Sequence, residues 1–310
     1  MTEQTIRRGF RMGLVHFMAY PFAASGEGDI EGTVRRVLAD PFFELIELTH
    51  IADATVRRRV GDLARQAGVD VAYGAQPQLM RNGENLCSLD EPLRLRGVER
   101  MKRCIDEACE LGAKGIAFLA GPFDPAREEV HYDALCRSAR AICEDAAAKG
   151  LPSVTLEVFD RDVEKRSLIG PVGIASRFGR EMHEAYPFFG LMADMSHILQ
   201  LRETFAQSLT PIAPYLRHAH IANAVLTPGM PAYGDQHPRF GIAGSEADAA
   251  TLADYLRTLR DIGYLNPDNP PPLSFEVKPW GDEDSDMVVA GSKRVLAQAL
   301  SLMAQNEANG

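Results

Sequence analysis

The sequence predicts an α/β protein, a single (β/α)8 TIM barrel occupying residues 1–310 as one domain. Three observations lead there. Short apolar runs alternate with amphipathic stretches along the whole chain, eight such runs can be counted, and 310 residues with 45% apolar content can bury one large core. Four of the runs, LPSVTLEVF, YPFFGLMAD, YLRHAHI and PPLSFEV, each carry near their end a residue able to bind a divalent metal: Glu157, Asp194, His220 and Glu276.

In chain order, strands are expected at 13–19, 43–49, 69–75, 115–120, 152–158, 189–194, 216–222 and 273–277, each a buried parallel strand whose last residues emerge at one rim. Helices fill the intervals. Between Glu91 and Gly112, apolar residues Leu93, Leu95, Val98, Met101, Ile105, Ala108 and Leu111 recur at mostly three- and four-residue steps, and Gly112 is placed to end the helix. Leu135, Ala139, Ile142 and Ala146 repeat the pattern between Tyr132 and Lys149, closed by Gly150. The long connections 76–90, 159–170 and 222–246 follow strands and belong at the active rim; 264–272, with its NPDNPPP, precedes strand eight and belongs at the opposite end.

A formal net charge of -10 opposes phosphate contacts and argues against a nucleic-acid partner. The N-terminal MTEQTIRRGFRMG lacks the apolar core of a signal peptide and no run reaches transmembrane length, so no membrane partner is expected. Five cysteines, odd in number and without paired metal spacing, read as buried reduced thiols of a cytoplasmic protein.

Strand alternation puts Ser153, Thr155 and Glu157 on one face, and likewise Ser274, Glu276 and Lys278. A barrel-facing carboxylate beside small polar residues has room for an ion; the structural alternative is a buried Glu held by Arg or backbone donors. DMSH places His197 three residues after Asp194 at a strand-to-helix turn. Asp194 then binds metal while His197 contacts substrate or a second ion, or Asp194 simply caps the helix beside a surface His. HAH at 218–220 stacks two imidazoles on one face, His220 nearer the rim as ligand and His218 as its support. Three oxygen donors and one imidazole suit one divalent ion; the carboxylate majority favours Mn or Mg, with Co and Zn compatible. Lys165, Arg166 and Lys278 supply positive charge nearby. His16, inside strand one, reads as a core histidine, and His50 after Glu47 as a base behind the site.

The order Glu157, Asp194-x-x-His197, His220, Glu276 resembles the xylose-isomerase-like barrel superfamily of sugar isomerases, epimerases and AP endonucleases. IELTH, EACELGAKGIAF, HAHIAN and SFEVKP match as well. The resemblance implies that Glu157 and Glu276 touch the metal and exchange protons at carbons flanking a carbonyl, through an enediolate. Asp194 and His220 would be the remaining ligands and His197 a substrate contact; Glu47 matches the superfamily's substrate-side acid or else salt-bridges an Arg or Lys within the barrel, and Lys278, by its place after Glu276, is expected on the substrate side. GDQHPRFGIAG resembles the stretch that the endonucleases use for an additional zinc, so Asp235 and His237 would join His197 on a second ion, or form a substrate lid or turn around Pro238, Gly241 and Gly244. Strands three and four end without the endonuclease histidines, so a nuclease is not expected.

The implied activity is a metal-dependent isomerase or epimerase of a sugar or sugar-derived hydroxyketone, with a homo-oligomer compatible. The long 222–246 loop also resembles the catalytic subunit of C-glycoside deglycosidases, lyases of 3-oxo-glycosides, which would bring a beta-subunit partner. A non-catalytic sugar-binding barrel is the third reading.

Overall fold

The computed structural model describes residues 2–308. Eight parallel strands close into a barrel in sequence order: β1 Arg11–Val15, β2 Leu45–Leu48, β3 Asp70–Gly74, β4 Ile116–Phe118, β5 Val154–Val158, β6 Phe189–Asp194, β7 Leu216–Ile221 and β8 Pro272–Phe275. β8 pairs back onto β1, with Gly13 opposite Ser274. Along β5, Val154, Leu156 and Val158 are buried beneath the outer helices, while Thr155 and Glu157 alternate into the barrel.

The helix Glu91–Leu111 is capped by Asp90, which accepts from Leu93 N at 3.3 Å, and ends at Gly112 with φ +72°. The second expected helix starts earlier than its apolar period suggests, at Glu128, and runs to Ala148. Two other expectations need correcting. Strand one ends at Val15, and His16–Ala19 is a helical turn followed by the 3-10 turn Pro21–Ser25. The apolar run continues across that boundary, but HFMA has no β-branched residue. The turn lays Phe17 over Gly74, where a Cβ would come within 2.8 Å of the ring. Likewise 76–90 is not all loop: Gln76–Arg81 is helical, with Pro77 tolerated in the first turn, where its missing N–H costs nothing.

Small interior residues leave the barrel incompletely filled. A cavity of about 180 Å³ lies among Ala72, Ala117, Ser153 and Thr155 near the N-terminal ends of the strands, lined also by Pro272 of the eighth-strand approach. A second, of about 210 Å³, opens at the opposite rim, and Glu47 lines both. Residues of three rim segments, 76–80, 159–165 and 235–237, wall the upper cavity, as the positions of the long connections require. Among the described residues, no helix is long and apolar enough to cross a membrane. Cys87, Cys104 and Cys143 are buried thiols, whereas Cys109 is exposed and Cys136 half-buried.

Candidate metal centre

Four adjacent strands bring Glu157, Asp194, His220 and Glu276 together at the upper rim, one ligand atom from each lying within 4.8 Å of all the others. His220 Nδ1 is at the middle: 2.6 Å from Glu276 Oε2, 3.7 Å from Asp194 Oδ2 and 3.8 Å from Glu157 Oε1. Asp194 Oδ2 and Glu157 Oε1 are buried and have no hydrogen-bond partner. Leaving carboxylate oxygens dry and unpaired costs several kcal/mol each, of order, unless a cation collects them. The donor set and its orphaned atoms therefore fit a divalent ion.

Each donor is held from behind. Asp194 caps the helix Met195–Leu201 with its other oxygen, Oδ1, which accepts from Ser196 N at 2.6 Å, His197 N at 3.2 Å and the Ser196 hydroxyl. The capping and metal readings of the sequence are thus compatible, one per oxygen. Glu157 Oε2 accepts from Gln76 Nε2 at 2.7 Å. Gln76 follows strand three, where the sequence offers no histidine, and nothing in its local pattern marks it as a site residue. Its helical setting was hidden by the neighbouring Pro77.

Glu47 is buried between His218 and His220, 2.8 Å and 3.1 Å from their Nε2 atoms. Burial raises its pKa, but the two imidazoles outweigh that and hold it well below the ordinary range. Burial lowers the His220 imidazole, but Glu47 on Nε2 and Glu276 on Nδ1 outweigh it and hold it well above the ordinary range; were a cation bound among the four donors, the Glu47 carboxylate on Nε2 would fix the tautomer that leaves Nδ1 free for it. Glu47, His218 and His220 also cluster closely enough for a cation. There, however, the carboxylate is already spent on the two rings, which makes it the poorer site.

His197 is buried, its Nδ1 3.0 Å from the Val158 carbonyl and its Nε2 2.9 Å from Asp235 Oδ1. Both partners only accept, so both nitrogens carry protons. Burial lowers the imidazole pKa, but Asp235 and Asp194 lift it to about 10. Asp235 Oδ1 also lies 2.6 Å from His237 Nε2. His237 Nδ1 has no partner and is 3.6 Å from Glu276 Oε1. The backbone of His237 is left-handed at φ +47°, and Gly241 and Gly244, at +75° and +76°, turn the chain after Pro238.

The mouth of the site has an apolar side of Phe17, Met18, Met80 and Phe159 and a polar side that includes Lys165, Gln236 and Lys278. Lys278 Nζ donates to Gln236 Oε1 at 3.3 Å. Arg166, expected beside the metal, is instead exposed, on left-handed backbone at φ +50°. His50 is not behind the site; it pairs with Glu107 at 2.8 Å on the outer helix Glu91–Leu111. His16 is a core histidine bonded to Thr33 Oγ1 at 2.9 Å, and burial pushes its pKa down to about 3.

The sequence model of a family described as "Xylose isomerase-like TIM barrel" matches residues 38–288. The chain belongs to this family. Among solved structures, the xylose isomerase-like barrel superposes on an L-ribulose 3-epimerase with TM-score 0.68 and 20% identity, covering 97% of each chain. It is also similar to the 3-keto-D-glucoside 4-epimerase of E. coli (TM-score 0.63, 17% identity, 93% of this chain and 99% of that one). A third is a D-psicose 3-epimerase studied with D-fructose (TM-score 0.65, 15% identity, 95% and 100%). No curated protein matches the sequence.

Crowded charge gives this xylose isomerase-like barrel a pH signature. Burial and the neighbouring Glu276 raise Glu157 to about 8, and burial raises Glu276 to about 7. Both folded values, and that of His197 at about 10, exceed the unfolded values of about 4.5 and 6.5. Such groups stabilise the fold below the unfolded pKa, and the contribution is lost as pH rises through the folded one. The metal-free protein should therefore lose stability between pH 7.5 and 9, chiefly through Glu157 and His197. The lowered histidines His16 and His237 are then largely neutral in both states. Urea midpoints across that range check this, and a midpoint that rises with pH contradicts it.

Proposed function

We propose that the chain is a metal-dependent isomerase or epimerase of a small carbohydrate, a keto sugar or sugar-derived hydroxyketone. Glu157, Asp194, His220 and Glu276 would hold the ion, with Mn or Mg favoured. The observation that carries this reading is the pair of orphaned, buried oxygens of Glu157 and Asp194 beside His220 Nδ1, where Glu157, His220 and Glu276 line a cavity of about 210 Å³. A bound divalent ion would polarise the carbonyl and hydroxyl oxygens of the sugar and so acidify the intervening C–H.

The remaining chemistry belongs to side chains. Glu157 and Glu276 both line the cavity beside His220, and their carboxylates are the groups placed to take a proton from carbon and return it. Two such groups on either side of a planar enediolate allow one to remove the proton and the other to deliver it to the opposite face, which inverts the centre. The ammonium of Lys278 offers donors to sugar oxygens and His237 and Asp235 complete the wall, while His197, with both N–H groups given to the Val158 carbonyl and Asp235, holds Asp235 in place from behind. Glu47 orients His220 from below, a supporting role in place of direct substrate contact.

A second reading is kept because the 222–246 loop folds over the site through Asp235, Gln236 and His237, lining the substrate cavity. In a 3-oxo-glycoside, the C2–H is adjacent to the carbonyl and the aglycone sits on C1. Proton removal by the same base would expel the aglycone instead of returning the proton. The structural neighbour named for a 3-keto-D-glucoside lends that substrate class some support.

The deciding experiment is a screen of ketopentoses, ketohexoses and 3-oxo-glucosides with Mn-loaded protein in deuterated solvent. An epimerase yields an isomer of conserved skeleton with one deuterium at the inverted carbon. A lyase releases aglycone. A barrel that binds without exchange of any substrate hydrogen would contradict both readings.

A further inference from the structure

Beside the quartet is a second set of metal-binding atoms, because Asp194, His197 and His237 also present ligand atoms within 4.8 Å of one another. Asp235, bonded to both imidazoles, would complete it. Two imidazoles with carboxylates are a zinc-like donor set. We propose that this set takes no second ion, because Lys165 provides its cation: the ammonium, seated on Asp235, stands in for a metal. The inference rests on the metal-dependent reading above.

Three observations carry it. Lys165 Nζ is 2.9 Å from Asp235 Oδ2 and 3.1 Å from Glu164 Oε1, so the carboxylate that would serve a second ion already holds a positive charge. The lysine is also placed by its own loop. Buried Asp160 accepts from Val163 N and Glu164 N at 2.7 Å each and from Lys165 N at 2.6 Å, winding 160–165 into a tight turn. That turn is locked onto the opposing loop. Glu164 Oε2 accepts from Asp235 N at 2.8 Å and from Gln236 Nε2 at 3.1 Å. Gly234, at φ +97°, leaves the room this needs, since a Cβ there would come within 2.5 Å of Glu164 Oε2. A dication on Asp235 would thus share one buried carboxylate with an ammonium whose backbone is fixed by the turn on Asp160 and which is paired to both Asp235 and Glu164.

The test is zinc stoichiometry by elemental analysis after equilibration with excess zinc and desalting. It compares the wild-type chain with Lys165→Met, Lys165→Gln, Lys165→Arg and the double variant Lys165→Met/His237→Ala. The neutral variants should each gain one zinc per chain over wild type, the Arg variant none, and the double variant should return to the wild-type count. Two neutral replacements of different polarity guard against a misfolded one, with circular dichroism as the check on folding. No increment in the folded neutral variants, or an increment that survives His237→Ala, overturns the proposal. The increment tests Lys165, whereas the wild-type total tests the primary centre, so the two readings fail separately.

Discussion

At Mn concentrations high enough to load each variant, Glu276→Gln and Glu157→Gln should each lower turnover about 10²- to 10⁴-fold while changing KM little, the usual scale for removing one general base or acid. The amide keeps the shape and one oxygen donor but cannot take a proton. The cause lies in placement. Each carboxylate lines the cavity in which the sugar carbons would lie. The two variants should also differ from each other. If each carboxylate serves one face of the sugar, a single Gln variant retains exchange of the solvent deuteron for one epimer and loses it for the other, although net inversion stops in both. Rates of deuterium incorporation from each epimer, read by NMR, check this. Near wild-type inversion in both variants would remove the paired-carboxylate mechanism.

Asp194 separates metal binding from folding. In Asp194→Asn the amide oxygen can still cap Ser196 N and His197 N, but the charge facing His220 is lost. The metal-free Asn variant should melt somewhat below metal-free wild type, because burial, which raises the Asp194 carboxyl, is outweighed by His197, His237 and His220, which hold it below its ordinary range, so its charge contributes stability at neutral pH. Its stabilisation by Mn should vanish; for wild type that is about 2.7 kcal/mol at an ion concentration near 100 times Kd. Asp194→Ala removes the cap as well, which costs about 0.5–2 kcal/mol on its own. Thermal melts of the three proteins with and without Mn give the comparison. Equal metal-induced shifts in wild type and Asn variant would remove Asp194 from the ligand set.

The barrel and four of its rim residues were legible in the sequence because both rest on local pattern. Parallel strands buried on both faces read as apolar runs, and a single charged or imidazole side chain at the end of such a run stands out. What escaped depends on contacts between segments. The helical turn after Val15 is as apolar as the strand before it, and only its lack of β-branched residues hints at where Phe17 and Met18 leave the ladder to wall the cavity. Gln76 is one amide in a Pro-containing stretch, and its importance appears only when β3 is set near β5 and Nε2 meets Glu157. Arg166 and Lys165 are indistinguishable by sequence distance. The turn wound on Asp160 sends one out and the other in. His50 could not be told from a site residue until its ring was found on Glu107, an outer-helix partner 57 residues away.

The central claim is that one divalent ion is held by Glu157, Asp194, His220 and Glu276, and a crystal of Mn-loaded protein measured at the Mn absorption edge tests it most directly. The account predicts a single anomalous peak about 2.0–2.4 Å from Glu157 Oε1, Asp194 Oδ2, His220 Nδ1 and Glu276 Oε2. A peak between Glu47, His218 and His220, or full Mn occupancy elsewhere with these four side chains still bonded to one another, would contradict it.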